Sequence, residues 1–222
     1  MTTFSVAIDG PAGAGKSTIA KMVSRRLNFI YVDTGAMYRA FGLYCVDNNI
    51  PLDEERIKNI VDDVIITIEY FDNEQQVLLN GKNVTVFIRS SEASSMASAV
   101  SVFKCVRLKL IELQRKLASQ TNVVMDGRDI GTFVLPHANL KIYLNASIEI
   151  RASRRCKELH EKGIETDVAS IKEEIIERDG RDMNREFAPL RKADNAIELD
   201  TSNMSISQVT EEIVRLFEEK VK

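Results

Sequence analysis

Histidine and cysteine are scarce in this sequence, and their scarcity narrows the chemistry. The two histidines, His137 and His160, stand in no recognisable constellation, so a mechanism built on a histidine base is not expected. The three cysteines, Cys45, Cys105 and Cys156, are odd in number, far apart and form no C-x-x-C pair. They read as reduced thiols of a cytoplasmic protein, and together with two isolated histidines they cannot make a typical zinc site. Basic excess is also lacking. The formal net charge is -3, which argues against a general nucleic-acid binder but leaves room for a local basic pocket. No apolar run approaches the roughly 20 residues of a membrane helix. The start, MTTFSVAIDG, has neither a basic n-region nor an h-region and reads as a first strand rather than a leader.

What is present is a chain of 222 residues, 44% hydrophobic, enough for one core with inserted subdomains. Phe4–Ile8 is a short β-rich run that meets glycines, as a strand buried on both faces would. Lys16–Leu27 follows as a helix, with Ile19, Met22, Val23 and Leu27 expected to face the sheet. Phe29–Val32 completes a βαβ unit and therefore a parallel pair. Asp33–Asn48 reads as a helix capped by Asp33 or Thr34. Between Val64 and Ile88 the texture changes: Val64–Ile68, Gln76–Leu79 and Val84–Phe87 are β-like, with Asp72-Asn73 and Asn80-Gly81 as turn signals. This predicts a small antiparallel sheet inserted into the parallel core. Ser90–Ser119 is helical, Thr121–Met125 and Leu140–Leu144 are core strands, and Ser147–Arg185 is helical and charged, broken at Gly163. Ala196–Leu199 is a last strand. Ser205–Val221 closes the chain as an amphipathic helix with Ser205 or Ser207 as cap.

Gly10–Ser17 reads GPAGAGKS and meets G-x-x-x-x-G-K-[ST] at Gly10, Gly15, Lys16 and Ser17. Glycines let backbone N–H groups close around a phosphate chain, and the following helix offers its positive end. The expected triphosphate cradle is Gly10, Pro11, Ala12, Gly13, Ala14, Gly15, Lys16, Ser17 and Thr18. Lys16 is the charge for the β- and γ-phosphates, and the Ser17 hydroxyl is the hard-oxygen ligand for Mg²⁺. The loop alone says that a nucleoside triphosphate binds. An N-K-x-D segment of a regulatory GTPase and an L-S-G-G-Q segment of a transporter ATPase are both absent from the sequence. Arginines in the second half fit a kinase that must hold one anion beside another.

Four separated motifs carry a resemblance over nearly the whole chain. They are GPAGAGKS, Asp33-Thr-Gly-Ala-Met-Tyr-Arg39, Asp126-Gly-Arg-Asp129 and Glu177-Arg-Asp-Gly-Arg-Asp-Met-Asn-Arg185. In this order, with the β-rich insert, the chain resembles the bacterial cytidylate kinases among the P-loop nucleoside monophosphate kinases. The resemblance implies an α/β P-loop fold of three layers around a parallel sheet. It also implies a core at about 1–35, 120–148 and 186–222, a nucleoside-monophosphate-binding insert at about 36–110 and a helical lid at about 149–185. Thr34 and Arg39 would hold the acceptor nucleotide, and Ser98, Arg107 and Asp129 would read its base. Cytosine offers an N4 donor and N3 and O2 acceptors, to which Asp129 and Arg107 are suited; uracil reverses the polarity at positions 3 and 4. Asp126 closes an apolar strand and either orients a magnesium-bound water or pairs with a ligand-holding arginine. Arg128 is the candidate for the acceptor phosphate. Arg178, Asp182 and Arg185 would share one helical face toward ribose and phosphate, the plain alternative being a surface salt-bridge ladder. In the lid, Arg154 or Arg155, rather than Arg151, is favoured for charge at the transition state; a solvated helix face is the bland reading.

The expected reaction is Mg²⁺-ATP plus CMP or dCMP giving ADP plus CDP or dCDP. Its catalytic set is Lys16, Arg128, Arg154, Arg155 and Arg185, and the acceptor, already anionic, needs no general base. The expected protein is a cytoplasmic monomer with no nucleic-acid or membrane partner. The alternatives are a P-loop kinase for another small acceptor, such as another nucleoside monophosphate or a shikimate-like molecule, and a non-catalytic ATP-binding module.

Overall fold

The computed structural model describes residues 3–72, 74–161 and 163–222. Five short apolar runs form one parallel sheet: β1 Ser5–Asp9, β2 Ile30–Asp33, β6 Val123–Gly127, β7 Leu140–Asn145 and β8 Ile197–Asp200, in the order β2-β6-β1-β7-β8. Val6, Ala7, Ile8, Val123, Val124 and Met125 are wholly buried, as strands covered on both faces must be. Their alternation divides the interior. Ala7, Val32, Val123 and Met125 face α2 Thr34–Asp47, α3 Glu54–Ile60, α4 Ser91–Val100 and α5 Lys104–Gln120. Val6, Ile8, Tyr31 and Val124 face α1 Lys16–Leu27 and α8 Ile206–Val221. The result is the three-layer α/β fold with a central parallel sheet that the sequence implies.

Local chemistry explains most boundaries. Asp33 caps α2 by accepting from Ala36 N at 2.9 Å. Ser205 and Gln208 form a capping box at α8. Gly163, φ 75°, falls between α6 Ile148–Glu161 and α7 Val168–Asn184. A second, antiparallel sheet holds β3 Ile66–Phe71, β4 Glu74–Leu79 and β5 Lys82–Asn83, with Asn80 and Gly81 both at positive φ in its turn. The expected turn residue Asn73 lies outside the described residues; its neighbour Asp72 has φ 50°.

Three expectations need correction. Val84–Phe87 is not a strand: the third strand is only Lys82–Asn83, and Phe87–Arg89 winds into a 3₁₀ turn. Asn83 Oδ1 accepts from Thr85 N at 3.0 Å, and Thr85 Oγ1 accepts from Val77 N at 2.9 Å, so backbone pairing ends with Val84 N on the Val77 carbonyl at 2.9 Å and a side chain takes the next bond. Met22 does not face the sheet; it is 38% exposed, and Ile19, Ala20 and Val23 fill that side of α1. Arg185 is not on the helical face of Arg178 and Asp182, because α7 ends at Asn184 and Arg185 is its extended C-cap, ψ 142°. Among the described residues no helix is long and apolar enough to cross a membrane.

Candidate active site

The parallel sheet brings the carboxyl ends of β1, β2 and β6 to one edge, where open α/β sheets bind ligands. Gly10 leaves β1 with φ 151°, and a Cβ there would lie 2.0 Å from the Leu144 carbonyl oxygen, so only glycine fits. Gly15 takes a left-handed conformation, φ 84°, as N-cap of α1 and gives no side-chain cap. The first amides of α1 therefore keep their donors for an anion. Pro11, Ala12, Gly13 and Ala14 span the turn between these glycines, and Thr18 lies on the exposed side of α1.

Lys16 is buried, and its Nζ donates to the Pro11 carbonyl at 2.6 Å. Burial, then the nearby Arg128 charge, pushes its pKa well below the usual lysine range. Ser17 Oγ donates to Asp126 Oδ2 at 3.0 Å, and Tyr31 Oη donates to Asp126 Oδ1 at 2.8 Å. Burial, with Asp33 adding repulsion, raises the Asp126 carboxyl to about 6. Of the two partners left open for Asp126, an arginine is not the one that hydrogen-bonds it here. A hydroxyl and a carboxylate side by side are hard oxygen donors, which suit Mg²⁺.

Next to this loop lies a chain of alternating charges drawn from three elements. Arg107 of α5 is 1% exposed; its Nη2 donates to Asp129 Oδ2 at 2.6 Å, and Nη1 donates to the Ser101 carbonyl at 3.3 Å. Arg185 Nη2 stands 3.7 Å from Asp129 Oδ1, its Nη1 3.4 Å from Asp182 Oδ1, and its Nε donates to the Ala188 carbonyl at 2.7 Å. Arg128 Nε donates to Asp182 Oδ2 at 2.9 Å. The order is thus Arg107, Asp129, Arg185, Asp182, Arg128. Arg178 stands apart from it. Burial, then Arg128, lowers its pKa to about 10. Burial depresses both Lys16 and Arg178, and the Arg128 charge adds to the shift in each.

Unsatisfied donors cluster in the same place. Among the described residues seven buried side-chain nitrogen or oxygen atoms have no hydrogen-bond partner, and five of them belong to Arg39, Ser98, Arg107, Arg178 and Arg185. Each such atom costs free energy unless something else completes it. Thr34 is differently placed: its Oγ1 donates to the Asp126 carbonyl at 2.8 Å. Arg39 Nη2 donates to Asp33 Oδ2 at 2.8 Å. The two lid candidates diverge. Arg154 is tied to Thr201 beyond β8, donating to its carbonyl at 2.7 Å, whereas Arg155 is half-exposed and donates to Glu158 Oε2 at 2.8 Å.

Four contributors went unnoticed in the sequence. Asp9 accepts from Ile130 N at 2.8 Å and Gly131 N at 2.7 Å, holding the turn that follows Asp129. Tyr31 orients Asp126. Tyr38 lies under the Arg107 guanidinium, 5.5 Å from ring centroid to Cζ. Asp179 bonds the glycine loop at Ala12 N, 2.8 Å. The available signal was a polar residue ending an apolar strand for Asp9, and position inside quoted motifs for Tyr38 and Asp179; Tyr31 offered none.

A shikimate kinase structure from Acinetobacter baumannii aligns with a TM-score of 0.50 at 13% identity, covering 100% of this chain and 97% of that one, which supports the fold alone. A cytidylate kinase from Lactobacillus johnsonii is 49% identical over 99% of this chain and 96% of its own length. One from Caldicellulosiruptor saccharolyticus is 50% identical over 98% and 96%. The family model described as cytidylate kinase matches residues 6–219, and with relatives this similar from end to end the chain belongs to the cytidylate kinase family.

Proposed function

We propose that this protein transfers the γ-phosphoryl group of ATP to CMP or dCMP, giving CDP or dCDP. The observation that carries the reading is the largely buried chain Arg107–Asp129–Arg185–Asp182–Arg128, with Arg107 Nε and Arg185 Nη2 left without a hydrogen bond, set beside the glycine loop. The loop amides and Lys16 hold the donor phosphates. Asp129 accepts from the cytosine N4 amino group, and Arg107 and Ser98 complete the base edge. Asp182 and Arg185 hold the ribose. Arg39, Arg128 and Arg178 hold the acceptor phosphate in line with the donor, and their charge offsets what builds up on the transferring group. Of the lid arginines, Arg155, paired on the surface with Glu158, is the one to reach the triphosphate, while Arg154 supports the loop after β8.

Ser17 and Asp126 would hold Mg²⁺, which when bound neutralises phosphate charge. The acceptor oxygen is anionic, so no residue must remove a proton. Water has to be excluded, and the segments at about 36–110 and 149–185 are assigned as the acceptor-binding insert and the lid that close over the ligands. The reading carries with it a cytoplasmic monomer without a nucleic-acid partner.

A coupled assay with Mg²⁺ and ATP tests it. CMP should turn over faster than AMP, GMP or dTMP; equal rates defeat the cytidylate reading. Lys16→Ala should fold and lose turnover by roughly two orders of magnitude, since it removes charge that stabilises the transition state.

A further inference from the structure

Ala12, in the glycine loop, is gripped through both of its backbone polar groups by side chains 139 and 167 residues further along the chain. Its N–H donates to Asp179 Oδ1 at 2.8 Å, and its carbonyl accepts from Arg151 Nη1 at 2.7 Å. Arg151 Nη1 also donates to Asp179 Oδ2 at 2.6 Å, and Arg151 Nε donates to the Ala146 carbonyl at 3.0 Å. Both side chains are buried. The Ala12 methyl sits in an apolar cluster made otherwise by α6 and α7, including Ile171 and Ile175. The loop also passes tightly against α6: a Cβ on Gly13 would lie 3.2 Å from Arg151 Cβ.

A buried ion pair is a poor way to gain stability, because desolvation offsets most of the attraction. What this one does is fix backbone. Asp179 adjoins Arg178 and stands three residues before Asp182 on α7. Arg178 is close enough to Lys16 to help lower its pKa. Holding Asp179 on Ala12 therefore sets how far the donor loop lies from the acceptor-facing side of α7.

We propose that Arg151 and Asp179 are positioning residues for phosphoryl transfer: together they clamp Ala12 and so align the donor loop with Arg178 and Asp182. The proposal rests on the kinase reading above. In-line transfer tolerates little misplacement of the two phosphates, so a loosened clamp should slow the transfer step more than it weakens acceptor binding.

The test compares three full-length variants with the wild type by kcat, by KM for each nucleotide and by melting temperature. Asp179→Asn keeps the shape and an acceptor for Ala12 N–H but removes the counter-charge of Arg151. Arg151→Lys keeps the charge but loses the planar fork that reaches Ala12, Ala146 and Asp179 at once. Ile171→Val trims the same apolar cluster without touching loop backbone and serves as the stability reference. Expected are a fall in kcat of about tenfold or more for Asp179→Asn and Arg151→Lys, with KM for CMP within about threefold of wild type. Ile171→Val should keep its kcat even where it melts as early as they do. The proposal is overturned if both folded clamp variants keep kcat within about twofold of wild type, or if Ile171→Val loses as much kcat at equal melting temperature. Should Asp179→Asn fail to fold, Arg151→Lys decides alone. A wild-type protein without CMP turnover would instead defeat the kinase reading, and the clamp with it.

Discussion

A buried carboxylate beside the glycine loop, Asp9, shows how one residue answers both to stability and to the site. Burial pushes its carboxyl from 3.8 up to about 7, against the Gly131 and Ile130 amides that favour the charged form. The folded state therefore holds this proton at pH values where the unfolded chain has released it. Such a group contributes stability that is present below the unfolded value and is lost as pH rises toward the folded one. Comparison with Asp9→Asn isolates the effect, because asparagine does not titrate. The melting temperature of the wild type minus that of the variant should fall as pH rises from about 4 to about 7. A difference that stays flat over that window would remove the assignment.

At the scale of elements, the small sheet is joined to the large one by side chains rather than by strands. β2 is the edge strand of the large sheet, and Gln75 of β4 bonds the Asp33 backbone on its outer side. Its Oε1 accepts from Asp33 N at 2.8 Å, and its Nε2 donates to the Asp33 carbonyl at 3.2 Å. Tyr70 of β3 adds a bond to the Tyr31 carbonyl at 3.1 Å. Asp33 in turn caps α2 and holds Arg39, so Gln75 reaches the acceptor side of the site through one residue. Gln75→Ala should cost about 1–3 kcal/mol, the range for a stranded backbone donor. It should also raise KM for CMP more than KM for ATP. The neighbouring Glu74, paired with Lys21 and Arg25 near the surface, makes the contrast: Glu74→Gln should cost less than about 1 kcal/mol. Thermal denaturation and steady-state kinetics on both variants check the pair of outcomes.

At the scale of the whole molecule, five of the seven buried side-chain atoms that lack a hydrogen-bond partner among the described residues come from separate parts of the chain: Arg39 on α2, Ser98 on α4, Arg107 on α5, Arg178 on α7 and Arg185 just beyond it. A ligand that completes them binds only the folded protein and must stabilise it. At about 100 times its dissociation constant, CMP should raise the melting temperature by roughly 5–10 °C for a chain of this size. AMP at the same concentration should do much less, because its amino group and ring acceptor are placed for a larger ring. Equal shifts from CMP and AMP would mean that the buried pair Arg107–Asp129 does not select the base.

Much of this architecture could be read from the residues in order. The helix at Lys16–Leu27 has the bounds expected of it, because a glycine turn and a positive-φ asparagine end it locally. The caps at Asp33 and Ser205 and the turn at Asn80-Gly81 are likewise short-range matters of hydrogen bonding and φ. Where propensity had to stand in for packing, the reading slipped: Val84–Phe87 is β-rich in composition, yet Asn83 and Thr85 bend it away, and Met22 lost its place on the sheet to Ala20. The sequence by itself determined the triphosphate loop, since strand, glycines and helix are contiguous and their chemistry is local. Only the tertiary structure decided that Arg107, Asp129, Arg185, Asp182 and Arg128 form one chain of charges. It also turned Arg154 toward Thr201 and brought Arg151 and Asp179 onto Ala12. Those pairings join residues far apart in the chain, and which arginine meets which carboxylate depends on how helices dock on the sheet, a choice that neighbouring residues do not encode.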